Sequence, residues 1–259
     1  MKRITFMLVI VSLVGSSLAC RTLLPGSSLG QYGSVCGESV KGMKLLTENL
    51  EFPDYFQQEN PVKQGGEFDP NRYFEVLTHL KMQDGFTLDY VYSFQGIGGQ
   101  PLLYARPADG KPFQTEKDFR AASPASFVSA VETDDTPEAY LQLSLLALMG
   151  AQFYLYWHAG YNDSQILCGS SDVERMISEN AQANFGTPLN VSQKLQARAI
   201  SQPGPAVEIK ADRVVVSMVV FTNWGGFIRR TYTINRAFPH TILDVQSETL
   251  VEYNCGVMF

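Results

Sequence analysis

The chain has 259 residues, 45% of them hydrophobic and 12% aromatic. That composition builds a packed core and argues against intrinsic disorder. Its 20 basic residues face 26 acidic ones, a net charge of −6, and past the N-terminus the only basic doublet is Arg229-Arg230, so nucleic acid, whose affinity rests on phosphate neutralisation, is not an expected partner.

The first element is a leader. Lys2 and Arg3 precede an apolar run from Ile4 to Val14, broken only by Thr5 and Ser12, and small residues follow to Ala19. Charge, short apolar core and small residues are the layout of a secretory signal peptide. The run falls short of the ~20 residues that span a bilayer. Residues 1–19 are therefore expected to be an export signal.

Ser17-Leu18-Ala19-Cys20 resembles the lipobox of bacterial lipoproteins. It departs from that family at Ser17, where an aliphatic residue is usual. The resemblance covers only the first 20 residues. It implies that Cys20 becomes a lipid-modified N-terminus, that the membrane is a partner through this lipid, and that the domain lies on the extracytoplasmic side of the cell envelope. Arg21 after the cysteine would then look like an outer-membrane signal. The same residues also fit a small-x-small cleavage site, which implies plain secretion. Residues 20–31, with Pro, Gly and Ser and no periodicity, read as a tether. Residues 32–259 are expected to form a single globular domain.

Asp69-Pro70 suits an N-cap and first turn, and Tyr73, Phe74, Leu77 and Leu80 share a helical face, so a helix is predicted over 69–80. Phe86–Phe94 alternates strictly as a strand. Gly96-Ile97-Gly98-Gly99 then turns the chain, and 101–105 returns, predicting a hairpin. The glycines superficially resemble a phosphate loop but lack the following helix and Lys. Residues 139–160 carry no Asp, Glu, Lys or Arg. With Thr136 as cap and Pro137 at the first position, they predict a long buried helix. Gln142, Ser144, Gln152 and His158, with Gly150 midway, argue against a membrane span. Ser171-Asp172-Val173-Glu174 reads as a capping box, opening a helix that buries Val173, Met176, Ile177 and Ala181. Residues 184–205 give weak signals.

The remainder is β. Residues 206–210 alternate, Val214–Phe221 is almost wholly apolar, Asn223-Trp224-Gly225-Gly226 turns, and 227–234 returns. In the strand 241–251, Leu243, Val245 and Val251 share an inner face that Tyr253, Cys255, Val257 and Phe259 would continue. The expected class is α+β: an antiparallel sheet, made of the N-terminal hairpin and the C-terminal meander, with a long buried helix and shorter helices on one face.

Four cysteines, Cys20, Cys36, Cys168 and Cys255, show no CxxC spacing. With Cys20 acylated, one bridge is available in an exported protein, and strand phase points to Cys168 with Cys255. Cys36, beside the tether, is left over. His79, His158 and His240 stand alone in sequence, Asp134-Asp135 precedes a helix where acids belong, and no metal or cofactor is implied. No nucleophile motif is present. His158 with Asp163 is the best polar cluster for acid–base work. Trp224, in the hairpin tip, is expected to be the most exposed aromatic and a contact for a cell-surface protein or small ligand. The expected function is an exported, lipid-anchored binding or interaction domain without catalysis; the alternative is an exported hydrolase near His158 and Asp163.

Overall fold

The protein is described by a computed structural model over residues 32–161, 163–184 and 186–257. The leader 1–19, Cys20, the tether to residue 31, Asn162 and Phe259 lie outside the described residues. Helix α1 (Gly33–Thr47) buries Cys36, Val40 and Met43. A short antiparallel pair joins β1 (Leu80–Met82) to β4 (Val131–Thr133). The predicted hairpin is β2 (Phe86–Phe94) with β3 (Gly98–Pro107). The two-residue strand β5 (Tyr156–Trp157) adds to β3, making a sheet of its own. Helices α2 (Glu116–Ala122) and α3 (Pro137–Met149) lie between β3 and β5 in the chain, and α4 (His158–Tyr161) follows directly.

The third sheet contains β6 (Gln165–Leu167), β7 (Ala206–Ile209), β8 (Arg213–Thr222), β9 (Gly226–Asn235) and β10 (Ile242–Val251). Its order is β10-β9-β8-β6, with β7 also paired to β8, and every pair is antiparallel. The α+β class with antiparallel sheets is thus the observed one, with hairpin and meander in separate sheets.

Helices cover both faces of the large sheet rather than one. Along β8, Val214, Val216, Met218 and Val220 enter a core shared with α1 and α3. Val219 and Phe221 point the other way, into a core with Val173, Met176 and Ile177 of α5 (Ser170–Gln182) and Ala197 of α6 (Val191–Arg198). A strand apolar on both faces needs cover on both, because successive side chains alternate across the sheet.

Helix α3 has the predicted cap: Thr136 accepts from the Ala139 amide and Pro137 occupies the first turn. Leu141, Leu143, Leu145 and Leu146 are fully buried, with Gln142 and Ser144 buried among them, so the helix is enclosed around its circumference. It stops at Met149, eleven residues short of the end of the uncharged run at Gly160. Phe153 and Tyr154 instead join a ring cluster with Phe68, Phe56 and Tyr90, and the Tyr154 carbonyl accepts from the Tyr92 hydroxyl. Continuing the helix would pull these rings out of the core. Among the described residues no helix is long and apolar enough to cross a membrane.

Other expectations are corrected. Residues 70–75 form only a 3-10 turn, with Asp69 accepting from the Asn71 amide. The His79 amide is captured by the Gln142 side chain, which turns the chain into β1. Helix α5 begins at Ser170 after Gly169, without a hydroxyl cap; Asp172 accepts from the Cys168 amide, and Asn180 rather than Ala181 completes the buried stripe. Leu243 and Val245 are exposed because β10 is an edge strand whose middle is left uncovered on both faces. Tyr253 and Cys255 are buried as the phase predicted.

The disulfide is also different. Cys36 and Cys168 are bonded, with Cα atoms 5.5 Å apart, and Cys255 is a buried free thiol. Strand parity is the reason. Ile166 and Cys168 face the α1 side of the sheet while Leu167 faces the α5 side. Cys255 belongs to the α5 side with Val251 and Tyr253. Cys168 and Cys255 therefore lie in different cores.

Candidate functional site

Two indoles and an imidazole converge where β5, α4 and the β8–β9 turn meet. Gly98 and Gly99 of β3 pair with Trp157 and Tyr156. A Cβ on Gly99 would fall 2.5 Å from the Tyr92 hydroxyl, so only glycine lets the Tyr92 ring lie under β3. The His158 amide donates to the Ile97 carbonyl. These bonds hold Trp157 in the left-handed region, φ 42°, a conformation costing an L-residue ~1–2 kcal/mol. The residue is 51% exposed. The His158 ring lies edge-on to Trp157 at 4.6 Å between centroids and to Trp224 at 6.0 Å. Both tryptophans of the chain thus flank one histidine.

Trp224 is not the most exposed aromatic; among the described residues that is Trp157. The loop from Thr222 to Gly226, which pair with each other, contains Asn223, Trp224 and Gly225. Gly226 has φ 78°, and a Cβ there would meet the Val251 carbonyl at 2.1 Å. The Cys255 amide donates to the Asn223 carbonyl. The C-terminal segment thus closes over the turn, and Trp224 folds back as a half-buried residue against the α5-side core.

Beside this cluster lies a cleft of about 260 Å³, lined by Ser93, Gln95, Ile97, Gly98, Gly99, Gln100, His158 and Ala159. It contains no carboxylate, ammonium or guanidinium. Ile97 stands 57% exposed on its rim.

Asp163 lines two further clefts. It lines one cleft of about 310 Å³ with Lys44, Glu48, Tyr73 and Gln152, and another of about 230 Å³ with Gln165, Asn180 and Asn223. Gln165 bridges two charges: Lys44 Nζ donates to its Oε1 at 2.6 Å, and its Nε2 donates to Asp163 Oδ2 at 2.6 Å. Burial raises the Asp163 pKa, against the opposing influences of Lys44 and Gln165. Neither of these two clefts is lined by His158.

The other histidines serve the framework. His79 Nδ1 lies 2.6 Å from Asp134, and buried His240 contacts the Thr133 hydroxyl and the Asn235 carbonyl. Asp135 pairs with Arg236 through both carboxylate oxygens. Among the described residues no group of three or more His, Cys, Asp or Glu side chains could hold a metal ion.

Sequence reasoning missed Lys44 and Gln165, and it placed Trp157 in the polar stretch 157–163 without anticipating its exposure. Trp157 adjoins His158 and was visible as a large aromatic near glycine, but its exposure depends on a strand of two residues, too short to leave a periodic signal. Comparison with protein families, with curated proteins and with solved structures returns no match for the chain.

Proposed function

We propose that the protein is an exported, lipid-anchored binding domain without catalytic activity, which meets a cell-surface protein or a small ligand through the Trp157–His158–Trp224 cluster. The observation that carries this reading is the exposed Trp157, held at positive φ beside a cleft. A large aromatic residue kept half exposed at a conformational cost is retained more readily where it serves a contact. Export and anchoring rest on the leader and on Cys20.

Two measurements test it. Metabolic labelling with a fatty-acid analogue should mark the wild type and not Cys20→Ala; equal labelling removes the anchor. Co-sedimentation with delipidated envelope material should be lost in the folded Trp157→Ala, Trp224→Ala double variant. Unchanged co-sedimentation removes the contact role.

The exported-hydrolase reading is favoured by one observation, the raised pKa of Asp163 in a cleft with Lys44 and Glu48, since such carboxyls serve as proton donors.

A further inference from the structure

We propose that β10 is a second docking surface, independent of the tryptophan cluster: an open sheet edge that takes up an extended segment of a partner protein with two basic residues four apart. The strand ends the large sheet, whose order is β10-β9-β8-β6, and among the described residues β10 pairs with β9 alone. From residue 244 to 249 that ladder runs without a register shift, bounded by irregularities at Ile242/Asp244 and Thr249/Val251. An antiparallel ladder uses the N–H and C=O groups of every second residue, so half of this run turns its backbone groups to the open side. Residues 243–249 are all exposed, and no proline interrupts the strand. A long, unbroken edge of this kind is a template for a further strand.

The side chains select the occupant. Asp244, Gln246 and Glu248 lie opposite Thr233, Thr231 and Arg229 and share one face of the sheet. Val245, on the other face, lies opposite Tyr232 of the core shared with α1 and α3, and stands 45% exposed at its margin. Among the described residues no Lys or Arg forms an ion pair with Asp244 or Glu248. Arg229 is opposite Glu248, but its guanidinium donates to the Gln202 carbonyl. The edge thus offers two carboxylates four residues apart on one face and an apolar margin on the other. Opposed residues of neighbouring strands share a face, so the complementary strand carries Lys or Arg four apart over the carboxylates and an apolar residue beside Val245. A second copy of this chain is opposed by charge. Two β10 strands paired antiparallel about a twofold axis keep their faces, and in the register centred on Gln246 the Asp244 of one lies opposite the Glu248 of the other. Like charges directly opposite destabilise a sheet, and the net charge of −6 adds to the repulsion.

The test adds the peptide Thr-Val-Lys-Val-Thr-Val-Lys-Val-Thr to the full-length protein and follows calorimetry and amide hydrogen exchange. Saturable binding is expected, with new exchange protection centred on residues 244–249, and it should weaken as salt screens the carboxylates. The same peptide with Glu in place of both Lys should not bind. Asp244→Lys should weaken the Lys peptide by about fivefold or more, because an opposite-charge cross-strand pair becomes a like-charge one. The neutral double variant Asp244→Asn, Glu248→Gln should lose the discrimination between the two peptides. Both changes are at exposed positions, and unchanged thermal unfolding of each variant shows that its fold is kept. Failure of the Lys peptide to bind, protection that falls elsewhere, or equal binding of both peptides by the wild type would overturn the proposal. Protection of the whole run 244–249 before any peptide is added would overturn it as well. A dimer by sedimentation would then make a second copy the occupant, and a monomer would mean that the chain covers its own edge.

Discussion

Cys36 on α1 and Cys168 at the head of α5 are joined across 132 residues of chain. The bond ties the first described helix to the strand–helix junction that follows β6, so α1 cannot leave the sheet without unfolding the core it covers. Closing so long a loop removes entropy from the unfolded chain worth about 5 kcal/mol in the chain-entropy model. Non-reducing peptide mapping should recover a Cys36–Cys168 peptide, with Cys255 alkylated only after denaturation. Cys36→Ser and Cys168→Ser should lower stability similarly, and the double variant little further. A Cys255-containing bridge in the native protein would contradict the assignment.

Asp163 has a pKa raised by burial above the ordinary 3.8. The folded state therefore holds this proton more tightly than the unfolded chain. The stability contribution is complete below about pH 4 and declines as pH rises through the raised value. Asp163→Asn keeps an acceptor for Gln165 and removes the ionisation. It should melt with the wild type at pH 3 and above it at pH 8. A variant less stable than wild type at pH 8 would show that the Lys44–Gln165–Asp163 chain stabilises the ionised carboxylate.

Asp135 shows the opposite sign. The Arg236 guanidinium holds its pKa down to about 2, and the Tyr140 hydroxyl helps. This contribution is present above about pH 4 and is lost as pH falls towards about 2. Arg236→Gln should therefore lower the melting temperature at neutral pH, with the deficit shrinking across that acid window. A deficit that stays constant from pH 7 to pH 2 would assign the loss to packing instead.

Much of the framework could be read from local pattern. The alternation of 86–94 gives β2 at its observed bounds, Thr136-Pro137 gives the start of α3, and the apolar run 214–221 gives β8. These signals are local because burial of a strand face or a helix cap is decided within a few residues. The disulfide was also within reach. Leu167 ends β6 and Cys168 follows it into the opposite core, yet without knowing that helices cover both faces the parity has no consequence. The Trp157–His158–Trp224 cluster was half legible. His158 and Trp224 stood out as residues, but their proximity depends on β5 pairing with Gly98 and Gly99 and on residues 251–255 closing over the β8–β9 turn. Those are long-range contacts with no periodic trace.

The two tryptophans should respond differently to truncation, and the contrast separates contact from core. Trp157 is exposed and sits at φ 42°. Removing its indole gives up little buried area, so Trp157→Ala should change unfolding stability by less than about 1 kcal/mol. Trp157→Gly relieves the left-handed backbone, a gain opposed by the greater entropy of glycine in the unfolded chain, so it should be no less stable than the alanine variant. Trp224 packs against the core that holds Phe221, Phe227 and Tyr253. Being half-buried, it should lose roughly 2 kcal/mol on truncation to alanine, less than the cost at a fully buried site. Chemical denaturation of the three variants with a common slope decides the matter. A large loss for Trp157→Ala would mean that its ring supports the fold, and the argument that its exposure serves a ligand would then be withdrawn.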